Sequence, residues 1–208
     1  MMDEYEITCD DEHRYRVRVD NKLQEVPSVT TIMNDVGYYP WLFTFRDRDN
    51  DEKMEMLNAA AKRGTAVHQI TEDLDHGKDL PDKMAPELEP YVQAYIKFKS
   101  QNDIEITEIE KFVFNLEWWY AGALDRVMTI NGTPAIVDLK TGQPADTTGI
   151  QLAAYLLAYE KMGGKSGLAR FGLYLRKNGT YKLIPYRNTD DLPNFLAAVR
   201  VFRFKKRK

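Results

Sequence analysis

The chain has 208 residues, of which 43% are hydrophobic and 29% charged, with a formal net charge of −3; these are ordinary values for a globular protein with one sizeable core. No apolar run approaches the ~20 residues needed to cross a bilayer, and the acidic opening MMDEYEITCDDEH lacks the apolar stretch of a signal peptide, so a cytoplasmic protein without a membrane partner is expected. The single cysteine, Cys9, excludes an internal disulfide framework, a cysteine-based zinc site and a four-cysteine iron–sulfur cluster.

The segment from His13 to Val19 alternates Arg with Tyr or Val and predicts a strand. Asp20, Asn21 and Lys22 supply a turn, and Leu23 to Val26 a short return strand. Ser28 is placed as the N-cap of a helix that runs to Val36 and stops at Gly37. The aromatic run Tyr38 to Phe43 reads as a packed connector. Asp51 to Asp75 predicts a long helix, with Met54, Leu57, Ala61, Val67, Ile70 and Leu74 roughly at helical spacing and His76-Gly77 at its end. After a proline-containing loop, a further helix is expected to start at Pro86 or Glu87.

The character then changes to strands. Ile104 to Phe114 and Trp118 to Ile130 read as neighbours, and Asn131-Gly132 is a strong two-residue hairpin signal before a strand from Ala135 to Lys140. Asp146 is expected to cap a helix reaching Met162. Leu168 to Leu175 and Tyr181 to Tyr186 predict a last strand pair around Lys177-Asn178-Gly179, and Asp190 to Phe204 a final helix. Helices, then a β-meander, then helix, strands and helix suggest an α/β sandwich around a mixed sheet. The whole of residues 1–208 is read as one domain, with a hairpin-and-helix segment over 1–50 and the core over 51–208.

The negative net charge argues mildly against a polyanionic partner. Carboxylates that hold cations lower the count, however, and basic residues gather late: Lys161, Lys165, Arg170, Arg176 and Lys177, then Arg203, Lys205, Lys206, Arg207 and Lys208. One reading of the terminal cluster is a frayed, solvated tail.

Chemistry concentrates in two stretches, Tyr120-Ala-Gly-Ala-Leu-Asp125-Arg126-Val127 and Ile136-Val-Asp138-Leu-Lys140-Thr-Gly142. Residues two apart on a strand share a face, so Asp138 and Lys140 point the same way. Asp125 lies six residues before Asn131 and Asp138 six after Gly132, so a two-residue turn pairs, or nearly pairs, the two aspartates. Adjacent carboxylates repel unless a cation lies between them, and hard ions such as Mg²⁺ or Mn²⁺ prefer such oxygens. The competing reading, an exposed Asp138–Lys140 ion pair of little consequence, is weakened by that spacing.

Four motifs in order, Arg63-Gly-Thr-Ala-Val-His68, Gly122-Ala-Leu-Asp125, Asp138-Leu-Lys140-Thr-Gly and Gln151-Leu-Ala-Ala-Tyr155, together with Val26-Pro-Ser-Val-Thr-Thr-Ile32 near the start, make the chain resemble the RecB-like branch of the PD-(D/E)XK nucleases. The mitochondrial genome maintenance exonuclease, the CRISPR adaptation nucleases without their iron–sulfur cluster and small stand-alone phage nucleases belong to that branch. The resemblance implies a restriction-endonuclease-like fold and a Mg²⁺- or Mn²⁺-dependent deoxyribonuclease that leaves 5′ phosphates. An exonuclease on single-stranded or free-ended DNA, working in replication, recombination or repair beside a partner protein of those processes, fits it best; a structure-specific endonuclease and a non-cleaving DNA-binding module are the alternatives.

Carried over by motif, His68, Asp125, Asp138 and the backbone carbonyl of Leu139 are the implied metal ligands. Lys140 is implied to position or activate the attacking water, and Gln151 and Tyr155 to hold the substrate phosphate or order the metal shell. Glu72, one turn after His68, and Glu110 are additional acidic candidates, with Glu117 a weaker one. Gly64, one turn before His68, is read as keeping that helix face open.

Overall fold

The computed structural model describes residues 6–10, 14–38 and 51–207. Three short antiparallel strands come first: β1 (Ile7–Cys9), β2 (Tyr15–Val19) and β3 (Lys22–Val26). Asp20 and Asn21 take left-handed backbone angles (φ 48° and 60°) in a two-residue turn, a conformation that Asp and Asn tolerate better than other side chains. The return strand therefore begins at Lys22, one residue earlier than expected. β1, flanked by acidic residues, has no signal strong enough to predict it.

Helix α1 (Val29–Asp35) starts as its sequence suggests: Ser28 is extended, and its hydroxyl accepts a hydrogen bond from Thr31 N at 2.9 Å. Gly37, at φ 85°, ends it. Of the expected aromatic connector, Tyr38 donates its hydroxyl to the Asn194 carbonyl at 2.8 Å; residues 39–43 lie outside the described part. Helix α2 (Asp51–Asp75) has the expected limits. Helix α3 (Glu89–Gln101) starts two to three residues later than expected, with Pro90 in its first turn. A start at Pro86 would have put the Pro90 ring against the carbonyl four residues back, where proline is not accommodated.

The second sheet has five strands in the order β4 (Ile104–Asn115), β5 (Tyr120–Ile130), β6 (Thr133–Lys140), β7 (Ala169–Leu175), β8 (Tyr181–Pro185). All neighbours are antiparallel except β6 and β7, which are parallel. Helix α4 (Thr147–Lys161) makes the crossover between that pair, as a parallel connection requires. Asn131 and Gly132 (φ 48° and 78°) form the turn between β5 and β6. Asp146 sits at the N-cap of α4 but makes no side-chain capping bond, contrary to expectation. The last helix, α5 (Asp191–Lys206), extends past Phe204. Arg203, Lys205 and Lys206 thus belong to its last turn, where cations offset the helix dipole, and not to a frayed tail.

Helices cover both faces of the sheet. On one face Ile32, Met33, Leu152, Tyr155 and Phe195 from α1, α4 and α5 pack on Val113, Leu124, Val127 and Ile136. On the other, Val67, Tyr91, Tyr95 and Phe98 from α2 and α3 pack on Met128, Val137, Leu139 and Leu173. Ile136 and Val137 go to opposite faces, the period of two expected of a strand buried on both sides. This is a mixed sheet flanked by helices with a small N-terminal sheet attached, consistent with a restriction-endonuclease-like fold.

Candidate metal centre

The ladder between β5 and β6 runs from Ile130↔Thr133 to Arg126↔Val137 and stops there. Asp125 and Asp138 are the next residues on their strands, the near-paired placement expected from the hairpin. Where pairing ends, the Asp125 carboxylate enters the gap, and its Oδ2 accepts a 2.6 Å hydrogen bond from the backbone N–H of Leu139. Helix α2 crosses this point. His68 Nε2 lies 2.9 Å from the Leu139 carbonyl oxygen, while Nδ1 stands 3.8 Å from both Asp125 Oδ1 and Glu110 Oε1.

Glu110 has a left-handed backbone (φ 46°), and the β4–β5 register shifts between Ile106 and Glu108, two residues before it. Arg126 then holds it. The arginine side chain is wholly buried; Nη1 donates to Glu110 Oε1 at 2.8 Å and to the Asp125 carbonyl at 2.7 Å, and Nε donates to Asp75 Oδ2 at 2.7 Å. Asp75, also fully buried, accepts from the Tyr95 hydroxyl and from Lys99 Nζ as well.

His68, Glu110 and Asp125 each offer one ligand atom, and the three atoms lie within 4.8 Å of one another. The donors are two carboxylates and one imidazole, a set suited to a divalent ion; the Leu139 carbonyl contacts the other ring nitrogen of His68. The electrostatics agree. Burial pushes the Asp125 carboxyl up to about 6, with Asp138 and Glu110 adding and His68 and Lys140 opposing. Burial disfavours the charged His68 ring, yet Asp125 and Glu110 outweigh it and hold the ring protonated to about pH 9. Without metal, the imidazolium proton offsets the crowded carboxylates; a cation can do the same.

Asp138 does not join that group of three. It is buried and forms an ion pair with Lys140, Nζ to Oδ2 at 2.8 Å. Lys140 Nζ also reaches Gln151 Oε1 at 3.3 Å, and Gln151 Nε2 donates to the Tyr155 hydroxyl at 3.0 Å. A second polar line, Asp138–Lys140–Gln151–Tyr155, therefore runs from β6 to α4, close enough for Asp138 and Lys140 to act on the ionisation of Asp125. Gly122 lets it form: a Cβ there would fall 2.5 Å from the Tyr155 ring.

Among the other candidates, Glu72 pairs at 3.9 Å with His76 just past the end of its helix, and Glu117 is exposed and pairs with Lys161. Neither joins the centre. Gly64 faces Thr141, but a Cβ there would meet Thr141 Oγ1 only at 3.8 Å, an ordinary contact, so packing does not require glycine at this position. Sequence reasoning assigned no role to Arg126 or Asp75. The signal for Arg126 was an Asp-Arg pair set between apolar Ala121–Leu124 and Val127–Met128 in a predicted strand. Tyr15, buried in β2, lies close enough for Glu110 and Asp125 to help raise its pKa, although burial is the larger cause.

The family model of the PD-(D/E)XK nuclease superfamily matches residues 48–200, a range that contains every residue of both polar groups. A search of the curated proteins finds no match.

Proposed function

Because the chain belongs to the PD-(D/E)XK nuclease superfamily, we propose that it is a divalent-metal-dependent deoxyribonuclease of the RecB-like kind, a single nuclease domain that hydrolyses phosphodiester bonds to leave 5′ phosphates. The observation that carries this reading is the cluster of His68, Glu110 and Asp125 beside the Asp138–Lys140 pair. Bound there, Mg²⁺ or Mn²⁺ supplies Lewis acidity toward a phosphate oxygen and toward water.

The protein groups divide the remaining work. Asp125, His68, Glu110 and the Leu139 carbonyl bind the ion, and Asp138 borders it. Asp138 holds the Lys140 ammonium at the edge of the cluster, where it hydrogen-bonds the attacking water and offsets the charge gathering on the phosphate. Gln151 fixes the ammonium from the α4 side and, with Tyr155, hydrogen-bonds the phosphate being cut. Arg126 holds Glu110 and the Asp125 backbone from behind.

The motifs favour an exonuclease on single-stranded or free-ended DNA, in replication, recombination or repair and in the cytoplasm. The test is digestion of end-labelled single- and double-stranded DNA with Mg²⁺, with Mn²⁺ and with chelator, alongside a circular single strand. Metal-dependent loss of linear DNA with the circle intact is the expected result. Cleavage of the circle would make the enzyme an endonuclease, and binding without products in either metal would make it a non-cleaving module.

A further inference from the structure

One groove lies away from the metal centre. It has a volume of about 360 Å³ and is lined by Pro27, Ile32, Trp119, Val199 and Phe202, with Arg203, Lys206 and Arg207 at its rim. It sits between α1, the β4–β5 turn and α5. No acidic residue lines it, and none of its three rim cations is in a salt bridge among the described residues. Lys206 Nζ stands over the Phe202 ring at 5.5 Å, and next to the groove Arg200 stands over Trp118 at 5.5 Å. In a chain of net charge −3, this is a local concentration of positive charge around aromatic faces.

We infer that this groove binds an unpaired DNA strand at a distance from the scissile bond, an inference that rests on the nuclease reading. Charge complementarity selects the occupant: three cations around an apolar floor suit a polyanion that also has flat faces to bury, and single strands are held by cations along the backbone with aromatic rings under the bases. Duplex DNA hides its base faces and gains nothing from Trp119 or Phe202. Trp119, in the turn just before β5, precedes Asp125 by six residues, so the groove lies roughly 20 Å from the metal centre. A strand lying in both spans several nucleotides, and the groove adds affinity only for substrates long enough to reach it.

The full chain and a labelled oligothymidine of about 16 nucleotides, in chelator to prevent cleavage, provide the test by fluorescence anisotropy. The triple variant Arg203→Ser, Lys206→Ser, Arg207→Ser should bind on the order of tenfold more weakly, and its slope of log affinity against log salt should be shallower by about 2, at roughly 0.7 per lost phosphate contact. Lys206→Ser should weaken binding more than Lys205→Ser, because Lys205 turns away to Asp35. With metal, the triple should lose rate on the long oligomer while cutting one of about four nucleotides as the wild type does. A triple with wild-type affinity and salt slope overturns the inference, as it would be if another protein or another part of this chain fills the groove. If the wild type cuts no DNA in either metal but the triple still loses oligothymidine affinity, the nuclease reading fails and the groove stands as a strand-binding surface. If the wild type cuts and the triple is unchanged, the groove alone is refuted.

Discussion

The backbone N–H of Leu139 donates to Asp125 Oδ2 across 2.6 Å, so a side-chain carboxylate sits where a strand carbonyl would sit if the β5–β6 ladder ran on. This one contact makes Asp125 both a structural and a chemical residue, and two substitutions separate the roles. Asparagine keeps an oxygen for the Leu139 N–H; alanine leaves that buried donor without a partner, at about 1–3 kcal/mol. Asp125→Asn should melt near the wild type and lose metal-dependent cleavage, while Asp125→Ala should lose both stability and cleavage. Equal melting temperatures for the two variants would mean that the contact carries no stability.

Asp138 and Lys140 make a second pair whose members should not behave alike. Asp138 is 2% exposed and Lys140 34%. Removing the lysine leaves a buried carboxylate unpaired; neutralising the aspartate leaves an ammonium that can reach water. Lys140→Met should therefore be the less stable variant, and Asp138→Asn close to the wild type. Both should lose on the order of 100-fold or more in cleavage rate, since each removes a group that offsets transition-state charge or holds one that does. Chemical denaturation and single-turnover cleavage measure the two effects separately, and an Asp138→Asn protein that digests DNA at the wild-type rate would remove the basis of the site.

Arg126 supports the centre from behind. Its replacement by methionine removes one of the two cations paired with the fully buried Asp75 side chain, leaving Lys99, and leaves the part-exposed Glu110 with His68; breaking the buried Arg126–Asp75 pair should cost about 3–5 kcal/mol. Lys99→Met also removes a partner of Asp75, but from a position 34% exposed, and should cost much less. Urea unfolding of the two variants is the check; similar midpoints would show that the Arg126 pairs do not hold the fold.

These residues show where the sequence is informative about this protein and where it stops. The Asn131-Gly132 turn fixes the register of β5 and β6, so the neighbourhood of Asp125 and Asp138 could be counted from spacing alone. Side chains two apart on β6 and four apart on α4 likewise put Lys140, Gln151 and Tyr155 in one line. Glu110 is different. It stands beside His68 with a left-handed backbone and follows a register shift between Ile106 and Glu108, and no glycine or asparagine marks either feature. The Arg126–Asp75 pair joins positions 51 residues apart through the packing of α2 on the sheet, and only the assembled fold brings them together.

Two glycines should respond in opposite directions. At Gly122 an added methyl meets the Tyr155 ring at 2.5 Å. Gly122→Ala should cost about 1–3 kcal/mol by overpacking and should slow cleavage by displacing Tyr155 and Gln151. At Gly64, inside α2, there is room, and alanine should stabilise the helix by about 0.5–1 kcal/mol. If Gly64 serves to keep the helix face open to DNA, Gly64→Ala will gain melting temperature while its KM rises. A Gly64→Ala enzyme with higher stability and unchanged KM assigns the glycine no part in substrate binding.

The charge state of His68 gives a pH signature. Asp125 and Glu110 hold the ring protonated to about pH 9 in the metal-free fold, above its ordinary value near 6.5. A raised folded-state pKa contributes stability that is fully present below about 6.5 and is lost as pH rises through about 9. In chelator, the wild type should become less stable over that interval, and His68→Gln should lack this component of the fall. Asp125, raised to about 6, makes a like contribution at lower pH, complete below about 4 and lost as pH rises through 6, so the two windows separate. Metal ligation needs the neutral imidazole, so Mn²⁺ binding at pH 7 should release about one proton. Titration calorimetry in two buffers of different protonation enthalpy counts that proton; a count near zero in the wild type, matching that of His68→Gln, would exclude the imidazole from the metal centre.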